Sequence, residues 1–197
     1  MGTRLPVVIV LVTVLAPAAL AGPASLTILP GSRLWVQGTT SVRSYTCRAA
    51  RVDGMVTTLP GSTRLDIAAL ETVVGSAEVS VAVAELKCGN PVLDAQVRRA
   101  LQEDVSPRIT YRITAYEVTP SGDGEGTVRL DGVLRIAGTE KPVGIDATAQ
   151  VEPGRLRVRG STQFNMTEFG VQPPAPVMGA MRVNDPVAVR FDLLLKP

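Results

Sequence analysis

Between residues 86 and 116 the chain reads LKCGNPVLDAQVRRALQEDVSPRITYRITAY, the one stretch where a helical pattern interrupts a succession of strand patterns. Asn90 stands at the N-cap position, where a side-chain oxygen accepts an amide that the first turn leaves unpaired. Pro91 suits the first helical residue, which needs no N–H, and Asp94 brings negative charge to the first turn. Val92, Ala95, Val97, Ala100 and Leu101 make an apolar stripe at near-helical spacing, and Pro107 is expected to stop the helix from running on. Before it, Val79, Val81 and Val83 alternate with Ser80, Ala82 and Ala84. After it, Ile109, Tyr111 and Ile113 alternate with Thr110, Arg112 and Thr114. Both are the two-residue period of a half-buried strand. A single helix with Cys88 at its entrance, set between two such strands, narrows the available folds sharply.

The first residues read as a leader. Arg4 supplies a positive start, residues 7–15 are a short apolar run between Pro6 and Pro17, and Ala19-Leu20-Ala21 is an A-x-A site. Cleavage is expected after Ala21, because a membrane span needs about 20 apolar residues and this run is shorter. Residues 22–197 are then one domain of an exported chain. Hydrophobic residues are 45% of the sequence, enough for one core, while the formal charge is only +2. The arginines are scattered, whereas a nucleic-acid binder concentrates them on one face.

Strand patterns recur along the domain with turn signals between them. They are expected at 33–38, at 45–58 with an interruption at Asp53-Gly54, at 64–67, and at 78–86 and 108–118. Further strands are expected at 127–136, 143–151, 155–164 and 186–195, with SGDGEG at 121–126 as a loop. Most have one apolar and one polar face, the mark of an antiparallel meander with one wet side. Closing such a sheet removes its edges. The expected fold is therefore all-β, an antiparallel barrel of about eight strands with one short helix inserted, although a sandwich fits the same strand pattern. A barrel of that size either fills with side chains or holds one slender ligand.

The inward faces are aliphatic and include small residues such as Ala147, Ala149 and Gly160, so an interior cavity would favour a long hydrocarbon. The candidate lining residues are Val81, Val83, Tyr111, Ile113, Leu134, Ile136, Ile145, Val189 and Phe191. Ordinary core packing asks for the same residues. The segment 169–181, FGVQPPAPVMGAM, is a proline-stiffened apolar loop whose Phe169, Val177, Met178 and Met181 are candidates for the barrel mouth, since methionine adapts to irregular contacts. It serves equally as a plug, or as the contact surface of a ligand-free interaction module. No cofactor is expected other than a bound long-chain hydrocarbon.

Export permits a bridge between Cys47 and Cys88, favoured here over two buried free thiols. Two thiols without histidine do not complete a zinc shell, and Asp123 and Glu125 lack the further oxygens of a calcium site. The chain contains no histidine. The usual base for a serine or cysteine nucleophile is therefore missing, and no carboxylate pair converges by spacing, so no enzyme activity is expected.

Several segments resemble the YceI-like family. SRLWVQGTTSVRSYTCR at 32–48 is similar to its first hairpin. LKCGNPVLDAQVRRAL followed by SPRI resembles its strand, small helix and strand entry. VLRIAGTEKPV at 133–143 is similar to its L-x-I-x-G-x-x-[KR]-P-V hairpin, the most specific of these. TEFG, PPAP, VMGAMRVND and VAVRFDL resemble its D-[FY]-G loop and closing strand, with Glu168 where the family often has Asp or Asn. The resemblance implies a lipocalin-like antiparallel barrel in the periplasm or outside the cell, holding a polyisoprenoid chain. It also places Cys47 and Cys88 with a two-cysteine subgroup. The expected partner is a long-chain apolar lipid, with neither nucleic acid nor a stable membrane span. The oligomeric state stays open, with a homodimer among the options.

Overall fold

The computed structural model describes residues 25–59, 66–173 and 183–196. Its strands are β1 (Ser25–Ile28), β2 (Arg33–Thr40), β3 (Ser44–Ala49), β4 (Asp53–Thr58), β5 (Val74–Ala82), β6 (Leu86–Lys87), β7 (Arg108–Gly122), β8 (Glu125–Ile136), β9 (Thr139–Glu152), β10 (Arg155–Asn165) and β11 (Val183–Lys196). Two helices, α1 (Leu70–Val73) and α2 (Pro91–Ala100), interrupt them. The eleven segments occupy eight positions in a closed antiparallel barrel. β1 and β2 run end to end along β11, with Ile28 opposite Leu195 and Arg33 opposite Asp192. β4 and β3 continue one another in the same way along β1 and β2, and β5 and β6 continue one another along β4 and β3. From β7 to β11 every strand spans the wall unbroken.

Local chemistry explains the unbroken side. Asp123-Gly124 and Ala137-Gly138 both have positive φ at each residue, the conformation of the tight two-residue hairpin turn whose twist matches its flanking strands. The loop expected at 121–126 is therefore two residues long, and the strands continue through Gly122 and from Glu125. A second departure lies in β7. A bulge between Ile113 and Ala115 inserts one residue, so Tyr116 and Val118 return to the inner face, which strict alternation from Ile113 would not give them.

The N-terminal side departs further from its sequence pattern. β1 carries no alternation long enough to be read. The interruption expected at Asp53-Gly54 falls at 50–52, and Asp53 and Gly54 themselves pair with Ser80 and Val79. In the strand expected at 64–67, Ile67 instead begins a 3-10 turn, Ile67–Ala69, capped by Asp66, and residues 64 and 65 lie outside the described residues. The strand expected through residue 86 ends at Ala82, and Val83–Glu85 is again a 3-10 turn.

Helix α2 begins as its sequence predicts. The Asn90 side chain accepts the Val92 amide at 2.8 Å and the Leu93 amide at 3.4 Å, and the Asp94 carboxylate accepts the Cys88 amide at 2.6 Å. It ends earlier than Pro107 requires. Gln102 turns into the left-handed region directly after the last turn. Its inner stripe is Leu93, Val97, Ala100 and Leu101, while Val92 is 62% exposed. The disulfide between Cys47 and Cys88 ties the entrance of α2 to β3. Helix α2 and the 3-10 turn Met166–Phe169 lie at one end of the barrel; α1 and Ile67 lie at the other.

The outer wall carries the charge. The Asp192 carboxylate takes a two-pronged contact from Arg157, both at 2.7 Å, and a third from Arg33 at 2.8 Å. Those guanidinium groups hold its carboxyl well below the usual carboxylate range, the Arg157 hydrogen bonds contributing most. Among the described residues no helix is long and apolar enough to cross a membrane.

Candidate functional site

The inner faces of the strands enclose a cavity of about 290 Å³, near the lower bound of about 300 Å³ for small-molecule sites. Its aliphatic wall is built by alternation. Leu34 and Val36 point in from β2, Ala77, Val79 and Val81 from β5, Leu130, Leu134 and Ile136 from β8, and Val187, Val189, Phe191, Leu193 and Leu195 from β11. Trp35, between Leu34 and Val36, consequently lies on the outer wall. All three tyrosines and all three phenylalanines of the chain line the cavity. Among the described residues, none of the lining side chains carries a carboxylate, amine, guanidinium or imidazole group, so apart from three tyrosine phenols the wall offers van der Waals contact.

The polar atoms that do reach this region are mostly satisfied by the backbone. Tyr111 Oη donates to the Val143 carbonyl at 2.9 Å. Burial, with the nearby Asp131 charge second, pushes its phenol up to about 12. Burial also raises the Tyr45 phenol. Tyr116 Oη lies 3.0 Å from the carbonyls of Leu70 and Val74, which pins α1 under one end of the barrel. There Ile67, Leu70 and Val73 are buried.

The opposite end is closed differently. Phe169 is 1% exposed and meets Phe164 edge-on at 5.1 Å between ring centres. It packs with Leu134, Ile136 and Val171 in a cluster that Leu101, following α2, also touches. The turn that delivers Phe169 is held by Glu168, whose carboxylate accepts from Asn165, and by Asp185, which accepts the Thr167 amide at 2.9 Å. Glu168 thus performs a capping task that suits a carboxylate at this position.

Of the candidate residues, Val81, Tyr111, Ile113, Leu134, Ile136, Ile145, Phe169, Val189 and Phe191 all line the cavity. Val83 does not; it is fully buried in the 3-10 turn after β5, outside the lining, because the strand alternation stops at Ala82. Val177, Met178 and Met181 lie outside the described residues. Sequence reasoning missed Tyr45, Leu93, Val97, Tyr116 and Phe164 as lining residues. Tyr116 is hidden by the bulge. Leu93 was available in the helical spacing, since Leu93, Val97 and Leu101 lie on one face. Among the described residues there is no cluster of three or more residues suited to hold a metal ion.

A family model described as YceI-like domain matches residues 35–195. No curated protein sequence matches the chain. Among solved structures, a polyisoprenoid binding domain from Saccharophagus degradans implicated in plant cell wall breakdown superposes with a TM-score of 0.66 at 13% identity, over 87% of this chain and 97% of that one. BcnA from Burkholderia cenocepacia gives 0.64 at 18% identity, over 83% and 96%. The Campylobacter jejuni YCEI protein gives 0.55 at 14% identity, over 75% and 82%. At such identities the likeness carries the fold alone.

Proposed function

The chain belongs to the YceI-like family, and on that premise we propose that it is an exported lipid-binding protein. It holds one long apolar chain of polyisoprenoid type inside the barrel, as carrier, store or scavenger in the periplasm or outside the cell. The observation that carries this reading is a continuous cavity whose lining holds six aromatic rings and, among the described residues, no charged group. Charged metabolites would lose hydration there without gaining partners, whereas a hydrocarbon gains about 25 cal/mol for each Å² it buries. A similar barrel from Saccharophagus degradans is described as a polyisoprenoid binding domain. The leader pattern in the sequence of residues 1–21 supports export, and the disulfide is compatible with it. Val81, Tyr111, Ile113, Leu134, Ile136, Ile145, Phe169, Val189 and Phe191 are the proposed contacts, joined by Val177, Met178 and Met181 from the apolar loop.

The proposed role is binding: the described lining is apolar, and its titratable groups are three tyrosine phenols, of which those of Tyr45 and Tyr111 are raised by burial. A fluorescent polyprenyl analogue should bind the purified protein at one per chain. Ala149→Phe, placed inside the cavity without altering the outer wall, should weaken that binding at least about tenfold while the protein still melts cooperatively. Unchanged binding by the folded variant contradicts the proposal.

A further inference from the structure

Three of the six luminal rings lie against glycine. Gly38 pairs with Tyr45 across β2 and β3, and Gly160 pairs with Phe191 across β10 and β11. Gly132 sits on the diagonal from Tyr111 across β7 and β8, where Tyr111 pairs with Leu134 and Gly132 with Ile113. A Cβ added at Gly132 would stand 2.6 Å from both Tyr111 Cζ and the Arg112 carbonyl oxygen, and one at Gly160 would stand 2.5 Å from Phe191 Cζ. One at Gly38 would overlap the Tyr45 hydroxyl and ring. Such approaches require the ring to move, because carbon atoms in contact are separated by about 3.5–4.0 Å. The backbone at all three glycines has negative φ or extended geometry that other residues adopt, since none of them is among the positive-φ residues. Conformational freedom is therefore not the reason for glycine. The missing side chain is the reason: it leaves a slot in the wall into which the neighbouring ring folds.

The other three rings have different anchors. Tyr116 is held by the turn around α1, and Phe164 and Phe169 pack on each other at the opposite end. The glycine-backed rings come from three separate strand pairs.

We propose that Gly38, Gly132 and Gly160 set the bore of the lumen, and with it the cross-section of chain the barrel accepts. Each glycine lets a ring lie along the wall instead of across the cavity. The resulting bore admits a methyl-branched isoprenoid chain, which is wider than an unbranched acyl chain. This rests on the lipid-binding reading and deepens it by naming the residues that select chain width. A methyl group at Gly38 or Gly160 turns its ring inward and narrows the bore at that level; at Gly132 it displaces the Tyr111 ring and also presses on the Arg112 carbonyl.

The test is Gly160→Ala, with Phe191→Leu and the double variant as companions. It uses competition between a farnesyl-type branched probe and an unbranched alkyl probe of equal length, together with a crystal structure of Gly160→Ala. Gly160→Ala should lose affinity for the branched probe by about tenfold, the scale on which one methyl group discriminates in an apolar pocket, and lose much less for the unbranched one. Its Phe191 ring should be turned into the lumen. The double variant removes the colliding ring and should recover the branched probe, which also rescues the test if Gly160→Ala alone folds poorly. A Phe191 ring still flat against the wall in Gly160→Ala, or an unchanged ratio of the two affinities, overturns the proposal. If the parent protein binds neither probe, the lipid reading falls, and the Phe191 position still decides whether glycine sets the bore.

Discussion

The two sides of this barrel wall reach the same closure by different means. From β7 to β11 the strands are 11–15 residues long and four of the five meet at tight turns. From β1 to β6 they are 2–9 residues long, and each wall position is filled by two pieces separated by an interruption. The interruptions lie beside one another. The Ala50 amide donates to the Glu85 carbonyl and the Val83 amide to the Pro107 carbonyl, both at 2.9 Å, so backbone groups freed by one break are taken up by the next segment. The unbroken side is written in local chemistry, hairpin by hairpin. The broken side depends on contacts between distant segments, and it is there that the chain places α1, α2 and the disulfide.

The largest test of that contrast is the disulfide, which bridges a sequence separation of 41 residues. Replacing both Cys47 and Cys88 by serine should destabilise the protein by about 4 kcal/mol on the chain-entropy account, read by denaturant unfolding. The loss should fall on the broken side. Hydrogen exchange should accelerate in β3, β6 and α2 ahead of β8 to β10, and uniform acceleration breaks the comparison. Next, Phe169→Ala should cost about 3 kcal/mol, because a fully buried ring leaves a cavity between Phe164 and Ile136.

Asp192→Asn tests the outer wall where the two sides meet, since its partners come from β2 and β10. It should cost about 1.5 kcal/mol near neutral pH, a charge-assisted hydrogen bond discounted for the water reaching Arg33. The folded carboxyl titrates below its ordinary value, so its contribution is full above about pH 4 and is lost as pH falls towards the folded value. Wild type and variant should therefore converge in acid. Tyr111→Phe should cost least, about 1 kcal/mol for one hydrogen bond. Here the folded phenol titrates high, at about 12, so its contribution is full below about pH 10 and is lost as pH rises through that value. Ultraviolet titration of the phenolates should show the highest transition disappearing in the variant.

How much of this was legible follows the same division. Alternation alone placed β8 to β11 and eight luminal side chains, because a hairpin's register is fixed by its turn and a two-faced strand by its period, while Phe169 was legible in its apolar loop. The helix start was legible in Asn90 and Asp94, whose side chains accept nearby amides, and in Pro91 at the first helical position. What was missed has non-local causes. The bulge at Ile113 and Ala115 turns Tyr116 inward through a pairing with β8 that no single-strand pattern reveals. The end of β5 at Ala82 reflects the hydrogen bond from Val83 to Pro107, across the whole length of α2. Gly160 is legible as a small inward residue, but that Gly38, Gly132 and Gly160 each lie against a ring depends on cross-strand pairing that no single-strand pattern reveals.

The central claim is that the lumen is a binding space and not a packed core. Native mass spectrometry of the protein purified from its own envelope tests this most directly. The account predicts a population heavier than the polypeptide by the mass of one apolar lipid, lost on organic extraction and absent from Ala149→Phe. A single mass equal to the bare polypeptide, with no lipid in the extract and no uptake of added polyprenyl chain, would contradict it.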